Sequence, residues 1–269
     1  MTTAQKTVKY LAIALALLLI VGIFSGIMTA AGAILGVFEE DGVSKDMTVY
    51  QVSGDVTALE IEVSAADLSI RLADGYSVES NLKYLTVEEK DGTLVIKDQK
   101  KNGLRFDNPV LILYIPKDTV FEQANVTTGA GRLRIETLSA KKLGLTLGAG
   151  EAVIEHLYVE TSAEIEGGTG AITVSDGSLT DLQIEMGVGQ LDMTAALYGS
   201  CSFHLGVGET NLTVLRAKEQ YFVELEKGIG SITVDRQTVD GDCKLGDGKD
   251  RIEIEGGIGA IRLLFDANE

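Results

Sequence analysis

Residues 129–174 read GAGRLRIETLSAKKLGLTLGAGEAVIEHLYVETSAEIEGGTGAITV. Gly-x-Gly opens this stretch at Gly129 and returns at Gly148 and Gly168. Beyond it the same signal recurs at Gly187, Gly206, Gly228 and Gly257, in steps of 19, 20, 19, 19, 22 and 29 residues. A period near 20 residues is the mark of short repeats that stack.

Aligned on the first glycine, the copies place apolar or small residues in columns. Leu133, Ala152, Ile172, Leu191, Thr210, Ile232 and Ile261 form one; two residues later stand Ile135, Ile154, Val174, Met193, Leu212, Val234 and Leu263. Between them lie Arg134, Thr173, Asp192, Asn211 and Arg262, so the period is two and one face is buried. Two more columns precede the glycines: Leu143, Ala163, Leu182, Cys201, Val223 and Ile252, then Leu145, Ile165, Ile184, Phe203, Leu225 and Ile254. A short strand cannot bury such a face alone, but stacking turns the columns into continuous inward ladders. Glycine belongs at the corner, where φ > 0 or close backbone approach excludes a Cβ.

The fold expected is therefore all-β: a stacked, β-helix-like solenoid with coils of about 19–20 residues and two main strands per coil. A helix would carry these glycines at a cost of about 1 kcal/mol each. An antiparallel sandwich is the nearer rival, yet it would show hairpin turns every 8 to 12 residues or so rather than one corner type about every 19. Upstream, Val63-Ser-Ala-Ala-Asp-Leu68-Ser-Ile70 reads as a first, atypical coil with Ser and Ala in place of Gly. Asp91-Gly92 is a hairpin turn, and NPVLILYIPKDT is an apolar strand ended by Pro116; this region caps the open end of the stack.

Composition supports many regular turns, with 31 Gly against 2 Pro. The first 38 residues hold Lys6 and Lys9 and no acid, so the formal charge of −17 becomes −19 for the rest (21 basic, 40 acidic). Such a surface repels nucleic acid, which is excluded as a partner. From Leu11 to Phe38 no residue is charged, and about 20 apolar residues cross a bilayer. Lys6 and Lys9 on one flank and Glu39, Glu40 and Asp41 on the other predict a single-pass helix in the cell membrane, N-terminus cytoplasmic and C-terminal domain extracytoplasmic. A cleaved signal peptide is the rival, because Ala31-Gly32-Ala33 has the form of a cleavage site; the length of the apolar stretch favours an uncleaved anchor. Gly22 with Gly26 and Gly32 with Gly36 would permit self-association through this helix. The organisation expected is a cytoplasmic tail over 1–10, a transmembrane helix over 11–38, an atypical coil and capping strands over 39–128, and the Gly-x-Gly solenoid over 129–269.

No Gly-x-Gly continues into Gly-x-Gly-x-x-Gly and a helix, so no nucleotide cradle is expected. GGTGAITV and GGIGAIRL lack the Asp of calcium-binding nonapeptides. Asp240, Asp242, Asp247 and Asp250 cluster in the last insertion, but Lys244 spoils the EF-hand spacing and a solvated turn is expected. His156 and His204 lie beside no nucleophile pattern, and His204 should point outward. Cys201 falls in an inward column and Cys243 in the insertion. Stacked acids of the kind a polysaccharide-active β-helix needs do not stand out. No catalytic, cofactor-binding or metal-ligating residue is assigned, and no enzyme is expected.

The run VLILYIPKDTVFEQANVTTGAGRLRIETLSAKKLGLTLGAGEAVIEHL resembles the bacterial "putative adhesin" family, a domain of unknown function found behind a membrane helix in Gram-positive envelope proteins. The carriers are Ile115-Pro116-Lys117-Asp118 and the Gly-Ala-Gly corners at Gly129 and Gly148, and the likeness covers roughly residues 45 to 265. The resemblance implies a membrane-anchored binding or structural module facing an envelope protein or cell-wall polymer. It also implies an alternative, a sensory or regulatory component of an envelope stress system. A polysaccharide-active β-helix enzyme is the second alternative.

Overall fold

The computed structural model describes residues 42–99 and 108–266. The tail at 1–10 and the expected span at 11–38 lie outside the described residues. Among those described, no helix is long and apolar enough to cross a membrane. In chain order the strands are β1 (Val43–Gln51), β2 (Ala58–Ala73), β3 (Ser77–Leu82), β4 (Leu85–Lys90), β5 (Thr93–Asp98), β6 (Val110–Pro116), β7 (Val120–Thr180), β8 (Leu182–Tyr198) and β9 (Ser200–Val214). After a short 3-10 turn at Lys218–Gln220 come β10 (Tyr221–Glu226), β11 (Ile229–Val234), β12 (Gln237–Val239), β13 (Cys243–Leu245), β14 (Asp250–Glu255) and β15 (Ile258–Phe265).

Stacking follows the repeat. β7 pairs in parallel with β8, and β8 with β9, one repeat apart: Ile165 faces Ile184 and Ile184 faces Phe203. Parallel pairing between copies is what a solenoid requires and a sandwich lacks. Every residue of the four inward columns is buried. A fully buried Leu or Ile contributes about 1.5–3 kcal/mol, so the ladders form one continuous core.

The coil differs from the expectation of two main strands. β7 runs unbroken over 61 residues, and a third inward segment closes each turn: Leu138 and Ala140, Leu157 and Val159, Leu179, then Ala195 and Leu197. The coil is three-sided. In two coils the third segment was hidden because a step of three residues, from Ile135 to Leu138 and from Ile154 to Leu157, breaks strict alternation at the bend.

At the glycine corner the backbone needs both features that glycine supplies. Gly189 has φ +150°, and a Cβ there would strike the carbonyl oxygen of Gly170 in the neighbouring coil. The atypical coil obeys the same register, with Ala66 opposite Gly131.

Chain order and spatial order part at both ends. Phe203 of β9 pairs with Ile254 of β14, and Ile254 pairs with Leu225 of β10, so the last coil in the chain sits between β9 and the coil before it. At the other end β2 pairs with β5 and β6 on one edge and with β7 on the other. Hairpins explain both inversions. Asp235 and Arg236, both with positive φ, turn β12 back onto β11, and Asp91-Gly92 does the same for β4 and β5. Once antiparallel strands occupy the outer edge, the returning chain has only the inner edge to pair with. β3 on β6 and β13 on β10 complete the two caps.

Two polar clamps hold the inversions. Asn81 donates to the Asn108 carbonyl at 3.0 Å and accepts from the Val110 amide at 2.8 Å, fixing the start of β6. Arg216 reaches both the Leu197 carbonyl and Asp250, each at 2.6 Å, and lies over the Tyr198 ring at 4.1 Å. Partial burial works against the charged form of Asp250, but Arg216 and the Gly199 amide outweigh it and hold the carboxyl below the usual carboxylate range.

Candidate functional site

The strand leading into each glycine corner places every second side chain outward. Because the coils stack in register, one such position becomes a ladder: Glu166, Glu185, His204, Glu255 and Glu226, on successive rungs about 4.8 Å apart. Like charges on neighbouring rungs repel. Thr146 donates to Glu166 at 3.4 Å, Gln183 to Glu185 at 3.1 Å, and His204 Nε2 lies 3.6 Å from Glu255. Among the described residues no lysine or arginine forms an ion pair with Glu166, Glu185 or Glu226. Nδ1 of His204 is enclosed and has no hydrogen-bond partner among them.

Two residues earlier runs a second ladder: Glu164, Gln183, Ser202, Glu253 and Glu224. Here charge is answered. Lys244 and Arg251 each stand 2.6 Å from Glu224, and Lys244 foremost holds that carboxyl below its ordinary range.

On the other side of the first ladder the surface turns apolar. Met186 and Leu205 are only partly buried and pack down on the core, flanked by Gly167 and Gly256. A Cβ on Gly167 would meet the Met186 sulfur, so glycine makes room for the thioether. With the ladder they line a shallow groove of about 680 Å³. The next position is the middle residue of Gly-x-Gly, where Val188, Val207, Ile258 and Ile229 occupy consecutive rungs. Val188, Val207 and Ile229 remain 49 %, 38 % and 42 % exposed. A row of β-branched side chains facing solvent is a contiguous apolar ridge, and such patches mark contact surfaces.

A further cluster lies on the third side. Tyr158 donates to Asp176 at 3.0 Å, and His156 Nδ1 is 3.0 Å from the same carboxylate oxygen. The contact with His156, first among its partners, holds Asp176 below the usual carboxylate range. Burial foremost, then Asp176, pushes the Tyr158 hydroxyl up.

Parallel rungs set Glu166 on Glu185 and Glu255 on Glu226, a stacking that the sequence reading did not single out. The partner of His156 was missed as well, though it lies one 20-residue step along the chain. Adding the repeat step to each outward residue would have found both. Cys201 is buried, its thiol pushed up to about 11 by burial, and Cys201 and Cys243 are both free. His204 points outward as expected, with its ring 43 % exposed. In the acidic insertion, Asp242 accepts the Lys227 amide at 2.7 Å and Asp250 is turned to Arg216. No group of His, Cys, Asp or Glu among the described residues is arranged to hold a metal ion.

The profile of Toastrack DUF4097 domains matches residues 56–254. The chain belongs to the Toastrack DUF4097 family. Its match runs from β2 into β14. No curated protein matches the chain. Among solved structures, a "putative adhesin" from Bacteroides fragilis is 12 % identical over 82 % of this chain and 98 % of its own, with a TM-score of 0.47. A "putative adhesin" from Parabacteroides distasonis is 15 % identical over 82 % and 97 %, TM-score 0.41. A "putative lipid binding protein" from the same organism is 14 % identical over 82 % and 98 %, TM-score 0.40.

Proposed function

We propose that this Toastrack chain is a membrane-anchored binding module on the outer side of the cell membrane, engaging another envelope component without transforming it. The observation that carries the reading is the groove and ridge beside the glycine corners. Elsewhere on the stack outward charges form ion pairs, as in Arg132 with Asp67 at 2.5 Å or Lys141 with Glu122 at 2.7 Å. The ridge instead leaves aliphatic side chains in solvent beside unneutralised carboxylates, an arrangement that costs solubility and stability unless something binds there. Its acidic border opposes anionic wall polymers and anionic lipid, which favours a protein partner over a polymer. Anchoring follows from the uncharged stretch at 11–38 and its basic flank at Lys6 and Lys9.

Two measurements test this. Protease added to intact protoplasts should digest the chain beyond residue 40; complete protection until lysis would reverse the orientation. Affinity capture from solubilised envelope with the full chain should retain protein in preference to cell-wall polymer. Turnover of a polysaccharide or peptide that disappears when Glu185 or Glu255 is changed to Gln, with the fold intact, would make the module an enzyme.

A further inference from the structure

We infer that the Gly-x-Gly ridge and its groove form the seat of a basic, amphipathic helix of a partner protein, laid along the axis of the stack. The inference rests on the binding-module reading and names its ligand class.

The geometry selects a helix. The ridge runs across the strands, and beneath Val188, Val207 and Ile258 the backbone groups are consumed by parallel ladders on both sides. An extended peptide lying there would find no sheet edge and could not pair its own amides and carbonyls, whereas a helix satisfies these groups internally. From Val188 to Ile229 are three rung steps of about 4.8 Å, roughly 14 Å in all. That length matches between two and three helical turns of about 5.4 Å pitch. An apolar face at i, i+3, i+4 and i+7 would meet the ridge rung by rung. The partly exposed Met186 in the groove floor supplies a side chain that adapts to different apolar contacts.

Charge selects the polar face of that helix. Glu166, Glu185 and Glu255 border the groove on one side, Glu226 follows on the next rung, and beyond the ridge Glu209 is already paired with Arg262. Lysine or arginine flanking the apolar stripe would relieve repulsion between rungs and steer association. A second copy of this chain fits poorly, because ridge-to-ridge packing would bring two acidic ladders together in a protein of net charge −17.

The test uses the full chain in nanodiscs of phosphatidylcholine, with empty discs as the blank. The probe is a fluorescent Lys/Leu peptide of about 18 residues with leucines at helical spacing. Its scrambled isomer and a Glu-for-Lys isomer serve as comparisons. The amphipathic peptide should bind about tenfold more tightly than the scrambled one, and the Glu peptide should not bind. Combined Val188→Thr, Val207→Thr and Ile229→Thr should weaken binding by about tenfold while leaving the melting curve unchanged. Thr169 already occupies this column one coil away, so threonine fits there. Glu185→Gln with Glu255→Gln should weaken binding and flatten its dependence on salt.

Equal binding of the scrambled peptide, unchanged binding by the threonine variant, or no binding at all would each overturn the inference. The two readings fail separately. If the peptide does not bind while the full chain still retains a defined envelope protein through another face, only the helix seat falls. If the chain turns over a substrate, the module reading falls with it.

Discussion

Between Val120 and Val214 each coil lies beside the one that follows it in the chain. Beyond Val214 the chain steps out to the terminal coil and returns to fill the gap it left. The two regions share columns and corners but are held differently. The middle relies on aliphatic ladders and glycine corners, which tolerate no change of size or φ. The end relies on hairpin turns and a polar clamp, which decide where a coil goes rather than whether it is a coil. Stability should therefore be concentrated in the middle, and order should be vulnerable at the end.

The sharpest break is Ile184→Asp in the middle. An uncompensated carboxylate in a side chain with no exposure should cost several kcal/mol against a total of about 5–15 and abolish cooperative unfolding. Asp192→Ala, on the outward face of the same coil, loses only surface hydrogen bonds with Gln190 and Asn211 and should cost under about 1 kcal/mol. Equal melting of the two variants would refute the inward column. Glycine separates the regions next. Gly189→Ala places a methyl against a backbone oxygen and should cost about 3 kcal/mol, whereas Gly241→Ala, with φ +88° and open space, should cost only about 1. Comparable denaturation midpoints would mean that the corner can open.

The clamp comes third. Arg216→Ala leaves Asp250 largely desolvated with the Gly199 amide as its donor and should cost about 2 kcal/mol, less than for a fully buried pair because both side chains keep some water. Amide exchange should quicken in β10 to β15 and not in β7; uniform quickening would show that the ends are not separable. Acid offers a gentler version of the same cut. Asp235 and Asp250 are each held below the usual range despite partial burial, by Lys218 and Arg216 respectively, and Glu224 by Lys244 foremost. Carboxyls with depressed values contribute stability above their unfolded pKa, near 4, and lose it as pH falls through the folded value. Protection in β10 to β15 should accordingly decline below about pH 4 before that in β8 does. Loss in the reverse order would remove the clamp from the account. The smallest effect has the opposite sign: Glu185→Gln removes repulsion from Glu166 and should raise stability by about 0.5 kcal/mol, whereas Glu224→Gln, which abandons Lys244 and Arg251, should lower it.

What the sequence by itself determined is the coil: its inward columns, its glycine corner and the hairpin at Asp91-Gly92. These depend on side-chain alternation and local φ, which each copy carries within its own 19 or 20 residues. The acidic ladder and the apolar ridge were legible in the same way, since stacking in register turns one outward position into a row. In two coils the third inward segment was obscured by the three-residue step at the bend. Only the tertiary structure decided the order of the coils at the two ends. Every copy presents the same columns to a neighbour, so Phe203 pairs as well with Ile254 as it would with Leu225. The choice is made by which edge is still free once β12 and β13 have folded back on the terminal coil, and that is a property of no single repeat.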